Sequence, residues 1–322
     1  EISLGLVGSE MCIRDSYYYH LRYPADENIW GRNHRKSPLY NRLTSLGAEF
    51  SEKNGWERVN FFNPDKPSRQ AGADQHQWGW GRPAYHDLVR AECLAARERV
   101  ALFDMTSFGK FEVNGDGALG LLQRVACNNV DRPVGSLVYT QFLNAHGGIE
   151  SDLTVCRLAT DRFRVITGTS FLSNDLEWVR QHAPEDGSVE VRDVTDDLAC
   201  IGLWGPNARD VLDQATDNDI SNDTFPYLTA QELTVAGKPA WAQRVSYVGE
   251  LGWELLLAND NADTVWDSLL ELGQAHGIRP AGYKALDSLC MEKGYVYWGT
   301  DVTPEDNLLE AGLGFCADMA KG

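Results

Sequence analysis

Along this chain the apolar positions alternate between strand-like and helix-like spacing, and the two kinds of segment take turns. The densest stretch is 134–157, V-G-S-L-V-Y-T-Q-F-L-N-A-H-G-G-I-E-S-D-L-T-V-C-R. It predicts one strand over Leu137 to Leu143, a tight turn over Asn144 to Gly148, and a second strand over Leu153 to Cys156. Further strands are predicted over Val100 to Asp104, Phe108 to Val113, Phe163 to Thr169, Val189 to Val194 and Leu198 to Pro206. Another lies within the block from Val245 to Leu257. Helices are predicted over Pro38 to Leu46, Tyr85 to Glu98, Ala118 to Val125, Leu172 to His182, Asn207 to Ala215 and within 281–294. Ser37 stands as the N-cap of the first, with Pro38 at its opening position and Gly47 as its stop. The strand–helix–strand rhythm occurs twice, which predicts an α+β fold built of two related halves.

Two acids interrupt this pattern where a charge needs a reason. Asp152 heads the apolar run Leu153 to Cys156, and Glu254 precedes Leu255 to Leu257. Burying an unpaired carboxylate is costly. Each acid therefore closes a turn or strand edge by accepting backbone N–H groups, or serves a ligand or a reaction at the mouth of a sheet. Asp104 has the same two readings, as a turn acid or a functional one.

Composition narrows the classes. The chain has 322 residues, 43% hydrophobic and 10% aromatic, which suits a packed protein of about two domains. Its formal charge of −18 excludes a basic surface for nucleic acid or an anionic membrane. No apolar run reaches membrane-spanning length. Seven scattered cysteines without a C-x-x-C pair point to free thiols in a reducing compartment, cytoplasmic or, in a eukaryote, the mitochondrial matrix. The histidines form no metal-binding pattern, so no metal site is predicted. No G-x-G-x-x-G follows a strand, so no dinucleotide site is predicted within these residues.

The hairpin resembles the tetrahydrofolate-binding core of the glycine-cleavage aminomethyltransferase (T-protein) family. The family writes Y-T-x-x-L-N-x-x-G-G-I-x-x-D-L, matched by Tyr139, Thr140, Leu143, Asn144, Gly147, Gly148, Ile149, Asp152 and Leu153. The family's R-E-x-V-x-L-F-D, G-K-x-x-V-x-G and Y-x-G-E-x-G-x-E are matched from Arg97, Gly109 and Tyr247 onward. Ser151 before Asp152, where many T-proteins carry a second acid, is similar to the dimethylglycine and sarcosine dehydrogenase branch. So are S-P-L-Y-x-R-L-x-x-L-G-A-x-F from Ser37 and G-W-E-R-x-N-F-F from Gly55, which resemble that branch's connector after its FAD-dependent oxidase half.

The resemblance implies an aminomethyltransferase-like fold preceded by a connector. Residues 76–322 would be the folate-binding domain, with the family's further C-terminal barrel not included, and 17–75 the connector. Residues 1–16 resemble translated adapter sequence from the ends of metagenomic gene fragments. The implied chemistry is capture of a one-carbon unit from a methylated amine as 5,10-methylenetetrahydrofolate, with FAD only in an upstream domain. Asp152 is the implied catalytic acid. Tyr139, Ile166, Gly168, Tyr227, Tyr247 and Glu254 are the implied folate-binding residues, with Tyr227 as an aromatic wall or plain core. Leu286 and Cys290 stand where T-proteins place arginines, with Lys284 or Lys293 as point-charge substitutes. Two rivals remain: a T-protein or folate-dependent demethylase, and a folate-binding regulatory module without catalysis.

Overall fold

The computed structural model describes residues 31–65 and 81–321. The predicted adapter-like segment, the first part of the connector and the polar and aromatic stretch from Ser68 to Trp80 lie outside the described residues.

In chain order, helix α1 (Tyr40–Ser45) leads into the hairpin β1 (Ala48–Lys53) and β2 (Trp56–Phe62). Helix α2 (His86–Glu98), β3 (Ala101–Asp104), β4 (Gly109–Asn114) and α3 (Ala118–Val125) follow. Next come β5 (Leu137–Leu143), β6 (Ile149–Ala159), β7 (Arg162–Thr167), α4 (Leu172–His182) and β8 (Glu190–Asp193). The second half holds β9 (Leu198–Trp204), α5 (Ala208–Ala215), β10 (Ala230–Val235), β11 (Lys238–Gln243) and β12 (Gly252–Ala258). It closes with α6 (Ala262–Leu272), β13 (Arg279–Ala281) and α7 (Tyr283–Glu292).

Two larger sheets carry the fold. One runs β10-β11-β12-β9-β3-β13, antiparallel except for the parallel pair β13–β3, and the other runs β5-β6-β7-β4-β8. Alternation sorts each sheet into two faces. In the first, Leu102, Ile201, Leu203, Trp253 and Leu255 pack against Val211 and Leu212 of α5 and Val265 and Trp266 of α6. In the second, Phe111, Val113, Phe142, Val155 and Val165 pack against α3 and α4. The remaining faces look toward each other. Phe103, Cys200, Trp204 and Leu256 of one sheet meet Phe108, Ile166, Tyr247 and the α7 residues Tyr283, Leu286 and Leu289 there. Lys110, Glu112, Arg164 and Asp152 lie on the same face as Ile166, so the interior between the sheets is polar on one side.

The two halves share a local device. Strand β4 enters α3 through Asn114-Gly115-Asp116-Gly117, and β9 enters α5 through Gly205-Pro206-Asn207. Gly115 (φ 111°) and Gly205 (φ 139°) both make the turn at positive φ, and a Cβ there would meet Ser188 O at 2.2 Å or Arg99 O at 2.5 Å. Only glycine fits both the dihedral and the space.

Every predicted helix forms, with ends within two residues of the prediction; the first begins two residues late, with Leu39 and not Ser37 at its N-cap. The hairpin differs in one respect. Its second strand begins at Ile149, not at Leu153, because the turn closes at Gly148 and pairing resumes at once. Asp152 is therefore mid-strand, paired in register with Gln141, and does not close the turn. That role falls to Asn144, whose Oδ1 accepts the N–H groups of His146 and Gly148, each at 2.9 Å.

The described part of the segment expected to be a connector is packed into the body of the protein. Leu39, Leu43, Phe50, Val59 and Phe62 join the core of the six-stranded sheet. Buried Glu92 of α2 clips the hairpin down, accepting the N–H of Phe62 at 2.7 Å and of Gly282 at 3.0 Å. Residues 296–317 fold back over the turn of β5–β6. Leu308 and Leu313 pack on Ile149, and the Trp298 indole donates to Ile149 O at 2.8 Å.

Candidate functional site

Strands β5 and β6 present Tyr139, Gln141 and Asp152 on one face, because residues two apart on a strand share a side and Gln141 is directly opposite Asp152. The Gln141 amide, fully buried, donates from Nε2 to Asp152 Oδ1 at 2.8 Å. The Tyr139 hydroxyl also hydrogen-bonds the carboxylate. These two bonds favour the ionised form, but burial outweighs them and lifts the Asp152 carboxyl to about 6. Asp175 adds a smaller push in the same direction. Burial and then the charge of Asp152 push the Tyr139 hydroxyl well up, so it stays protonated and donates. The result is a recessed carboxylate that changes charge near neutrality, held by two neutral partners.

Gln141 was not singled out in the sequence. Its position opposite Asp152 follows from the hairpin register, so counting back from the turn identifies it. Two thiols meet its side chain. Cys127 Sγ is 3.5 Å from Oε1, and Cys316 hydrogen-bonds the same amide.

Glu254 is on β12, opposite Gln243 on one side and Gly202 on the other. Its side chain points into the space between the sheets. No hydrogen bond from a described residue reaches its carboxylate. Burial lifts it to about 7, and the Lys110 ammonium pulls it the other way. Lys110 itself is fully buried and donates to Thr106 O at 2.8 Å and Phe108 O at 2.9 Å. Burial brings it down to about 8. A recessed carboxylate with empty acceptor positions suits a ligand that brings its own N–H donors.

Tyr247 lies within the field of Asp152. It stands edge-on to Phe108, with ring centroids 6.0 Å apart, and its hydroxyl is raised first by burial and then by Cys290 and Asp152. Ile166 pairs with Thr154, on the same face as Asp152, and packs in the inter-sheet core. Gly168 lies just past the end of β7 and accommodates the Phe171 ring, which a Cβ would meet at 2.7 Å. Tyr227 is 65% exposed, so the plain-core reading is wrong; it stands at the surface within the field of Tyr295. Asp104 follows the turn-acid reading, accepting the Thr106 N–H at 3.1 Å. Leu286 and Cys290 are buried in the inter-sheet core. Lys284 stands 4.8 Å over the Tyr85 ring and Lys293 pairs with Glu250 at 3.4 Å, so both ammonium groups are engaged. Among the described residues no group of three His, Cys, Asp or Glu could hold a metal ion. No helix among them is long and apolar enough to cross a membrane.

The GCVT N-terminal domain family matches residues 39–321. Human mitochondrial sarcosine dehydrogenase is 36% identical over 336 residues, covering 94% of this chain and 36% of that protein. The aminomethyltransferase of Chloroherpeton thalassium is 36% identical over 245 residues, covering 76% of this chain and 67% of that one. The crystal structure of glycine cleavage system aminomethyltransferase T from Bartonella henselae superposes with a TM-score of 0.73 at 23% identity, over 90% of this chain and 71% of that one. At that identity the likeness speaks for the fold. This chain spans about a third of the length of the dehydrogenase relative.

Proposed function

Since the chain belongs to the GCVT N-terminal domain family, with relatives among sarcosine and dimethylglycine dehydrogenases, we propose that it is the tetrahydrofolate-dependent one-carbon transfer part of an N-methyl amine dehydrogenase. The observation that carries this reading is the recessed Glu254 carboxylate, which accepts no hydrogen bond from any described residue and faces the interior that Asp152, Tyr139 and Tyr247 also line. A carboxylate accepts two adjacent N–H groups at once, the arrangement a pterin ring presents. Bound there, tetrahydrofolate supplies the nitrogens that take up the one-carbon unit as 5,10-methylenetetrahydrofolate.

The chain's own residues then have distinct tasks. Glu254 anchors the ring, and its ionised form accepts best. Tyr247 and Ile166 wall the ring, with Gly168 letting the Phe171 ring pack close at the end of β7 and Tyr227 at the surface. Tyr139 and Gln141 hold the Asp152 carboxylate in one orientation. Above a pH of about 6 that carboxylate is ionised and takes a proton from the attacking nitrogen as general base. Fixing the carboxylate beforehand supplies proximity without a reorganisation cost at the moment of transfer.

The oxidation of the methylated amine, and the FAD it uses, are assigned to the part of the dehydrogenase that this chain does not span. A cytoplasmic location, or the mitochondrial matrix in a eukaryote, is supported by six free thiols among the described residues and by the mitochondrial relative. Calorimetric titration with tetrahydrofolate tests the site. Binding falls at least tenfold in Glu254→Gln and survives in Asp152→Asn. Absence of binding by folded wild type overturns the reading.

A further inference from the structure

We propose that Arg58, on the second strand of the connector hairpin, is the receptor for a carboxylate on the side arm of the ligand whose ring occupies the inter-sheet site. The inference deepens the folate reading above and rests on it. Of the seven residues of β2, only Arg58 is not buried. Its guanidinium carbon stands 3.3 Å from the centre of the Tyr283 ring, and the side chain hydrogen-bonds Tyr297. Tyr283 in turn packs in the inter-sheet core with Ile166 and Tyr247. The guanidinium therefore borders the same interior.

Its donors are under-used. A guanidinium held over a ring by cation–π attraction keeps its N–H groups available for hydrogen bonds. One polar partner is seen, Tyr297, for five donors. Arg58 Nε is shut away from solvent without a hydrogen-bond partner among the described residues. Asp287 feels the charge of Arg58, but no carboxylate among the described residues comes within ion-pair distance. A buried donor without a partner is costly. A planar carboxylate that accepts two parallel N–H bonds removes that cost.

The surrounding charges select the same ligand chemistry. The carboxylates of Asp152 and Glu254 line this interior, and its other cations are engaged: Lys110 donates to Thr106 O and Phe108 O, and Arg164 pairs with Glu112 at 2.6 Å. The two lysines of α7 and its end are held by Tyr85 and Glu250. The connector thus supplies the cation for the arm, and the two sheets supply the acids for the ring.

The test compares tetrahydrofolate with 6-methyltetrahydropterin, which has the same ring and no arm, by calorimetric titration of the whole chain. Arg58→Met is expected to weaken tetrahydrofolate at least tenfold and leave the armless pterin unchanged, with Arg58→Lys intermediate because it keeps the charge and loses the fork. Circular dichroism and melting confirm that each variant is folded. Equal weakening of both ligands, or of neither, overturns the proposal. Wild type that binds tetrahydrofolate no tighter than the armless pterin overturns it alone, whereas wild type that binds neither ligand overturns the folate reading and this inference with it.

Discussion

Replacing Asp152 by Asn is expected to stabilise the fold near neutral pH while removing the proton acceptor. Burial raises the carboxyl from 3.8 to about 6. At about 1.4 kcal/mol per pH unit, keeping it ionised costs the folded protein about 3 kcal/mol relative to the unfolded chain. The sign follows from proton linkage: the folded state holds the proton more tightly, so stability falls as pH rises from about 4 to about 6 and then levels off. Asparagine has the same shape and no charge. Its oxygen still accepts from Gln141 Nε2, and its amide donates to the Tyr139 hydroxyl. Thermal unfolding of both proteins from pH 4 to pH 8 measures the difference. The two should melt together near pH 4. At pH 8 the variant should melt about 6 °C higher, taking roughly 2 °C per kcal/mol for a chain of this size. A variant that melts no higher than wild type at pH 8 would refute the reasoning, because it would mean that Tyr139 and Gln141 stabilise the charge more than burial penalises it.

Three further outcomes are expected. Gln141→Leu removes the 2.8 Å donor to Asp152, so the carboxyl titrates higher still; the acid limb of the transfer rate against pH should move up, and an unmoved limb would show that the amide does not set the charge. Glu92→Ala leaves the buried N–H groups of Phe62 and Gly282 without an acceptor, at a cost of about 3 kcal/mol, and should expose the β1–β2 hairpin to limited proteolysis, whereas Glu92→Gln keeps one of the two acceptor oxygens and should be cleaved at an intermediate rate. Gly205→Ala combines φ 139° with a 2.5 Å approach to Arg99 O and should lower the melting temperature sharply, which the equivalent change at exposed Gly187 should not approach.

The amino-acid order by itself determined most of the elements. Helix α4 over Leu172–His182 and α3 over Ala118–Val125 were legible to the residue, because each carries an apolar stripe at helical spacing and packs one face only. Asp152 and Glu254 were legible as charges out of place in apolar strands. The hairpins β1–β2 and β10–β11 and helix α6 were not read. In β2, six of seven residues are buried, so W-E-R-V-N-F-F lacks the alternation that marks a half-exposed strand.

The environment of each acid was decided only in three dimensions. Gln141 and Asp152 are eleven residues apart and meet because a turn ending at Gly148 sets the register between their strands. Lys110 and Glu254 lie in different sheets and feel each other only because the two sheets face one another. Arg58, within a connector that reads as a segment apart, reaches Tyr283 and Tyr297 because Glu92 and the core of the six-stranded sheet hold the hairpin against α7. Local spacing encodes which face of an element is apolar. Desolvation, charge and hydrogen-bond partners depend on what packs against that face, and that is a property of the assembled sheets.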